Sequence, residues 1–328
     1  GKRFFGSRLP GSSFSEIVFP EAAASEKETE VPMAGKGFFK GWYFKQEKGS
    51  RAAALIPAFH FPADAPGYAS VQVITEEAAW NFNFPLDAVK VFGKKDTIQI
   101  GNNYFSPRGI RVSLNKEEDG RTRKIEGRIR YAGLAALKSD IMGPFRYVPF
   151  LQCRHGVVSM CHKTRGSLKV NGDTYNFHGG RGYIEKDWGS SFPSYYFWCQ
   201  SGWYDRQECS LMVSVADIPF LGGHFPGCIA FVYYRGKEYR LATYRGVRIL
   251  KLCENEVLLR QGKMMLSIRV KPAEGQHLKA PVQGSMNRFI KENLVCTVWC
   301  RFWLDGKLIF DHLGMGSAEF DTGTNRLR

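Results

Sequence analysis

Gly166-Ser167-Leu168-Lys169-Val170-Asn171-Gly172-Asp173-Thr174-Tyr175-Asn176-Phe177 decides the fold class. Apolar and polar residues alternate on both sides of Asn171-Gly172, which is the pattern of two half-buried strands. Asn-Gly tolerates positive φ at both central positions of a type I′ turn, so the two runs predict a β-hairpin. The same grammar recurs outward from this stretch. Phe231–Tyr234 and Glu238–Leu241 flank Arg235-Gly236-Lys237, and Trp299–Leu304 and Leu308–Asp311 flank Asp305-Gly306-Lys307. Upstream, Ile110–Leu114 and Ile125–Tyr131 are separated by an acidic run ending in Asp119-Gly120, and the basic stretch Arg121-Thr122-Arg123-Lys124 sits at that tip. Further short runs cover Ala52–Phe59, Ser70–Thr75, Trp80–Phe84 and Asp96–Ile100. Close-set strands with little helical periodicity predict an all-β protein, a sandwich or barrel. Short helices are expected only over Gly284–Asn293, where Ser285 can cap the N-terminus, and near Tyr131–Lys138.

The 328 residues suffice for two domains. An extended lead-in is expected over 1–35, an N-terminal β-barrel domain over 36–170, a C-terminal one over 171–320 and a polar tail over 321–328. Each half carries an aromatic strand near its start, Gly41-Trp42-Tyr43-Phe44 and Tyr195-Tyr196-Phe197-Trp198. With 44% hydrophobic and 14% aromatic residues the chain has the means to build a core and an apolar pocket. The formal charge of +15 is scattered along the chain, which disfavours nucleic acid as a partner; a peripheral membrane contact ranks above it because a membrane can deliver an apolar ligand. None of the eight cysteines forms a C-x-x-C pair, so buried, reduced thiols in a cytoplasmic protein are expected. The seven histidines are dispersed, and no metal or cofactor is expected. No run is long enough for a transmembrane helix, and no Gly-x-Gly-x-x-Gly follows a strand in a βαβ setting. The oligomeric state is not legible.

The segment Gly182-Tyr183-Ile184-Glu185-Lys186-Asp187-Trp188-Gly189 is the densest in unusual residues. As a strand it places Glu185 and Asp187 on one face and Ile184, Lys186 and Trp188 on the other. Paired carboxyls beside aromatic residues can hold a proton and serve as a general acid. The same residues can equally bond backbone amides, or pair with Arg181 or Lys186, in a purely structural role. The next strand sets Tyr196, Trp198 and Gln200 on one face, as either a pocket wall or a core strand. His60, between Phe59 and Phe61, is a third acid candidate. Trp42, Trp188 and Trp198 could stabilise developing positive charge, while Tyr43, Lys45, Arg181 and Gln200 could orient a phenol or carbonyl.

Lys40-Gly41-Trp42-Tyr43-Phe44-Lys45, Tyr147-Val148-Pro149-Phe150-Leu151, Glu185-Lys186-Asp187-Trp188-Gly189 with Phe192-Pro193 and Phe197-Trp198-Cys199-Gln200, and Leu278-Lys279-Ala280-Pro281 occur in that order. This series resembles the tocopherol cyclase-like family over nearly the whole chain. Asp187 stands where the plant enzymes carry Asn. The resemblance implies two lipocalin-like β-barrel domains and a large apolar pocket acting on a polyene or prenylated substrate. It implies an acid-catalysed intramolecular cyclase or isomerase working without a cofactor on an apolar aromatic or prenylated small molecule. A carrier of hydrophobic ligands without chemistry, and a hydratase or enone-closing isomerase on the same scaffold, are the alternatives.

Overall fold

The computed structural model describes residues 37–321 apart from 93–95, 150, 204–207, 221 and 272–274. The lead-in expected over 1–35, and residues 322–328 of the expected tail, lie outside the described residues. Within them the alternating runs become strands arranged in two antiparallel sheets. The first sheet contains β1 (Phe38–Lys48), β2 (Arg51–Phe61), β3 (Tyr68–Thr75), β4 (Ala79–Pro85), β5 (Val89–Phe92), β6 (Thr97–Ile100), β7 (Asn103–Ser106), β8 (Gly109–Glu118), β9 (Arg121–Ala132), β10 (Cys153–Val170), β11 (Asp173–Asn176) and β12 (Gly180–Gly189). The second contains β13 (Tyr196–Trp203), β14 (Cys209–Phe220), β15 (Gly223–Tyr234), β16 (Lys237–Ala242), β17 (Arg248–Cys253), β18 (Glu256–Gln261), β19 (Met264–Lys271), β20 (Gln276–Val282), β21 (Ser285–Leu304) and β22 (Lys307–Asp321).

The first sheet runs β4-β3-β2-β1-β12-β10-β9-β8-β7-β6-β5, with β11 paired to β10. The second runs β16-β15-β14-β13-β22-β21-β19-β18-β17, with β20 paired to β21. Each sheet curls around its own core. Phe82 of β4 and Ile98 of β6, near opposite ends of the strand order, pack into one cluster with Trp42, Phe44 and Ile184. Phe197, Leu241, Val257 and Phe302 do the same in the second sheet. Curling buries one face of every strand without leaving a flat apolar sheet exposed. The protein is thus all-β, built of two antiparallel sheets that each enclose a core.

The division between the sheets falls between Gly189 and Tyr196, not at 170/171. The Asn171-Gly172 hairpin forms as expected, with φ of 50° and 100° at its two turn residues. The β11 strand it creates pairs back onto β10, and β12 then fills the position between β10 and β1. The chain therefore completes the first barrel before it starts the second.

Both expected helices are replaced by extended chain. Gln283 and Gly284, at φ 47° and 77°, form the tight turn between β20 and β21. Ile290 and Leu294 are buried while Lys291 is exposed, so Gly284–Asn293 follows a period of two. Near Tyr131–Lys138, β9 ends at Ala132, and the backbone of Ala135 bonds to Met160 and Cys161 instead of to its own chain. Among the described residues the only helical elements are short 3-10 turns at Leu86–Ala88, Gly143–Tyr147 and Thr243–Arg245. No helix there is long and apolar enough to cross a membrane. All eight cysteines are free thiols; Cys199, Cys209, Cys228, Cys296 and Cys300 are buried, and Cys253 is exposed.

Candidate active site

Strand alternation gives each sheet a second face, and these outer faces meet. While Trp42 and Phe44 enter the first core, Tyr43 of β1 and Tyr183 of β12 turn outward. While Phe197 and Cys199 enter the second core, Tyr196 and Trp198 of β13 turn toward the first sheet. A cavity of about 190 Å³ lies between them, walled by apolar groups such as Phe39, Phe145, Phe192, Ile218 and Phe225. Its polar lining includes His155, Glu185, Asp187, Glu292 and Glu319, together with Gln72, Arg154 and Lys279.

Register explains how these groups converge. Tyr43 lies opposite Glu185 across β1 and β12, and His155 of β10 lies opposite Asp187. On the facing sheet, Trp198 lies opposite Glu319, and Glu319 lies opposite Glu292. Side chains directly opposite in an antiparallel pair are nearest neighbours on one face. Two such rows, one on each sheet, close on each other across the cavity.

The contacts divide the acids into two kinds. Glu185 accepts hydrogen bonds from the Tyr183 hydroxyl at 2.5 Å and from the Trp198 indole N–H at 3.2 Å. The His155 ring lies between two carboxyls, with Nδ1 2.6 Å from Asp187 Oδ1 and Nε2 3.2 Å from Glu185 Oε2. Only the first has hydrogen-bond geometry; Nε2 has no aligned partner. Burial alone would depress the imidazole pKa, but the charges of Asp187 and Glu185 outweigh it and hold His155 well above the usual histidine range. On the second sheet, Glu292 accepts from the Tyr43 hydroxyl at 2.5 Å, and Glu319 accepts from the Tyr196 hydroxyl. Burial pushes the Glu292 carboxyl up to about 7; Glu185 adds to the rise, while the Tyr43 hydrogen bond and the Lys45 charge oppose it. Burial and the charge of neighbouring Glu292 hold Glu319 well above the usual carboxylate range. The first sheet thus supplies a histidine set between two carboxyls that favour its protonated form, and the second supplies two carboxyls whose neutral form is favoured.

Of the residues expected at the site, Glu185, Asp187, His60, Trp42, Tyr43, Tyr196 and Trp198 line this cavity. His60 is fully buried, contacts Ser70 Oγ at 2.9 Å through Nε2, and is pulled down to about 4 by burial. That burial favours the neutral ring. Lys45 and Gln200 bond to each other at 2.8 Å outside the lining, and Lys45 also pairs with Glu47 at 2.8 Å. Arg181 lies opposite Lys163 and Glu47 in the first sheet, away from the cavity. Trp188 points to the other face of β12, beside Lys40 and Lys186. Even-numbered residues of the Glu185–Gly189 segment thus belong to a different surface from Glu185 and Asp187.

His155, Glu292 and Glu319 were not singled out from the sequence. His155 has no short-range motif; only its pairing with β12 brings it to Asp187. Glu292 and Glu319 do carry a signal. Each falls on the strand face opposite the second core, Glu292 in line with buried Ile290 and Leu294 and Glu319 between the core-facing Ala318 and Phe320. Assigning 284–293 to a helix hid that pattern. His155, Glu185 and Asp187 also offer ligand atoms within 4.8 Å of one another, so they are the set that could hold a metal ion. His155 and Asp187 are already joined by the hydrogen bond through Nδ1.

A model of the tocopherol cyclase-like family matches residues 122–313. The chain belongs to this family. The matched span includes Tyr147–Leu151, Glu185–Gln200 and Leu278–Pro281 and begins downstream of Lys40–Lys45. No curated protein matches in sequence. Among solved structures, CghA with Sch210972 is similar at a TM-score of 0.50 and 12% identity, covering 86% of this chain and 88% of that one. An AttH protein from Nitrosomonas europaea gives a TM-score of 0.49 at 10% identity, over 92% and 99% of the two chains. Kievitone hydratase from Nectria haematococca gives 0.47 at 12% identity, over 87% and 88%. At these identities the likeness to CghA concerns the fold.

Proposed function

We propose that the protein is a cofactor-independent, acid-catalysed intramolecular cyclase or isomerase acting on an apolar phenolic or prenylated substrate. The observation that carries this reading is geometric: the Glu292 carboxyl is buried and faces an aromatic-walled cavity, and that burial pushes it up to about 7. An acid of that strength can hold its proton at neutral pH and still release it, which is the optimum for general acid catalysis. Membership of the tocopherol cyclase-like family supports ring closure as the reaction class.

Each step has a group in place. The cavity walls fold a flexible substrate so that its hydroxyl lies near its alkene; positioning of that kind can contribute about 7–11 kcal/mol. Glu292 transfers its proton to one alkene carbon, and the positive charge develops on the other. The ring faces of Tyr43 and Trp198, 5.6 Å apart between centroids, stabilise that charge. The substrate hydroxyl oxygen bonds to the cationic carbon and its proton leaves to a cavity carboxylate, with Glu185 the nearest to the Trp198 ring. One proton enters and one leaves, so the product is an isomer of the substrate. His155 limits the negative charge that Asp187 and Glu185 place near the acid.

The test is turnover of a panel of prenylated quinols by wild type and Glu292→Gln. Gln keeps an acceptor for Tyr43 but cannot donate an acidic proton. A cyclic isomer formed by wild type, with kcat lowered at least about 10²-fold in the variant, is the expected result. Tight binding with no product would identify a carrier, and a water adduct would identify a hydratase.

A further inference from the structure

The outer face of β17, β18, β19, β21 and β22 lies beyond the cavity. Cross-strand register aligns Arg248, Arg260, Met265, Trp303 and Leu308 in one rung. Glu256, Arg269, Trp299 and Leu313 form another, with Arg301 on the rung between them and Met315 on the rung beyond. Their sequence neighbours Val257, Leu259, Leu266, Ile268, Val298 and Phe302 fill the second core, so these rungs face outward. The outer face of a curled sheet is ordinarily polar. Here Leu308, Leu313 and Met315 are 45%, 66% and 39% exposed.

Charge on the face is strongly one-sided. Arg248, Lys251, Arg260, Arg269, Lys271 and Arg301 are set against the acids Glu256 and Asp311. Both acids are already engaged. Glu256 pairs with Lys251 at 2.6 Å and Arg269 at 2.9 Å, and Asp311 accepts from the Trp299 indole N–H. Trp299 is flanked by Arg269 at 5.6 Å and Arg301 at 4.4 Å, and Arg301 reaches Trp303 at 5.3 Å.

We propose that this face docks the protein onto an anionic lipid surface. Exposed aliphatic groups enter the headgroup boundary, tryptophans sit at its level, and the cations meet the anionic headgroups. Nucleic acid shares the charge but fits the face less well. Phosphates gain nothing from Leu308, Leu313 and Met315, and Trp299 already has two guanidinium groups against its ring where a base would stack. The strand β21 also carries Glu292, roughly 24 Å along from Trp299 at strand rise. Docking stands independently of any reaction in the cavity.

The test is flotation of the full chain with vesicles of phosphatidylcholine alone and of mixed phosphatidylcholine and phosphatidylglycerol. Association with the mixed vesicles only, abolished by high salt, is expected. The double variants Arg248→Glu/Arg260→Glu and Leu313→Asp/Met315→Asp should each weaken it at least about tenfold while leaving the melting temperature unchanged. Failure to float with mixed vesicles would overturn the proposal, as would unchanged association of both variants. Binding of a DNA duplex that falls with the charge reversals but not with Leu313→Asp/Met315→Asp would assign the face to nucleic acid instead.

Discussion

Glu292 loses solvation on folding and gains no cation in direct contact, so its neutral form is favoured in the native state. With a folded pKa of about 7 against about 4.5 unfolded, the native protein binds the extra proton between those values. Stability from this group is full below the unfolded value and is lost as pH rises through about 7. Glu292→Gln cannot ionise. It should melt higher than wild type at pH 8, by an amount on the order of a few kcal/mol, and match it near pH 4. Turnover should move the other way, and wild-type activity should fall as pH rises through about 7. His60 has the opposite sign. Its folded pKa of about 4 lies below the unfolded 6.5, so its contribution is present above 6.5 and is lost as pH falls toward 4. Compared with wild type, His60→Gln should gain about 1.4 kcal/mol of relative stability per pH unit below 6.5, measured by denaturant unfolding at pH 7, 6 and 5. A constant difference across that range would show that the ring is charged inside the fold.

The element that concentrates chemistry is β12, which alternates between two surfaces. Tyr183, Glu185 and Asp187 serve the cavity while Ile184, Lys186 and Trp188 serve the inside and rim of the first barrel. Its last residue is fixed by close approach. Gly189 has φ 154°, and a Cβ there would lie 2.2 Å from the Gln152 carbonyl oxygen of the neighbouring chain. Gly189→Ala should therefore cost roughly 2 kcal/mol or more in denaturant unfolding, because backbone must move to accommodate it. A variant as stable as wild type would mean that the register of β10 and β12 can shift freely. The strands and three hairpins were legible because Asn171-Gly172, Arg235-Gly236 and Asp305-Gly306 adopt the positive φ their turns demand. The β20–β21 turn was not, since Ser285, just after it, reads as the N-cap of a helix over Gly284–Asn293. That single reading concealed Glu292, whose burial follows from period-two alternation alone.

At the scale of the molecule, the cavity belongs to neither sheet. Local patterning reveals which residues face out of each barrel, so Glu185, Asp187, Tyr196 and Trp198 could be nominated. It does not reveal that two outer faces close on each other, so His155, Glu292 and Glu319 could not be joined to them. Closure of the two faces buries Glu292 beside Tyr43, far away in the chain, and that burial is what raises the acid's pKa. A ligand that fills the space should stabilise both sheets together, by about 2.7 kcal/mol at a hundredfold excess over Kd, seen as one cooperative shift in Tm. Two separate transitions with only one shifted would place the ligand inside a single barrel.

The most direct test is turnover of a prenylated quinol in deuterated water, with the product analysed by mass spectrometry and NMR. Proton delivery by an exchangeable carboxyl predicts a cyclic isomer carrying one deuterium on the former alkene carbon, formed by wild type and lost with Glu292→Gln. A cyclic product without deuterium, or one formed at an undiminished rate by Glu292→Gln, would contradict it.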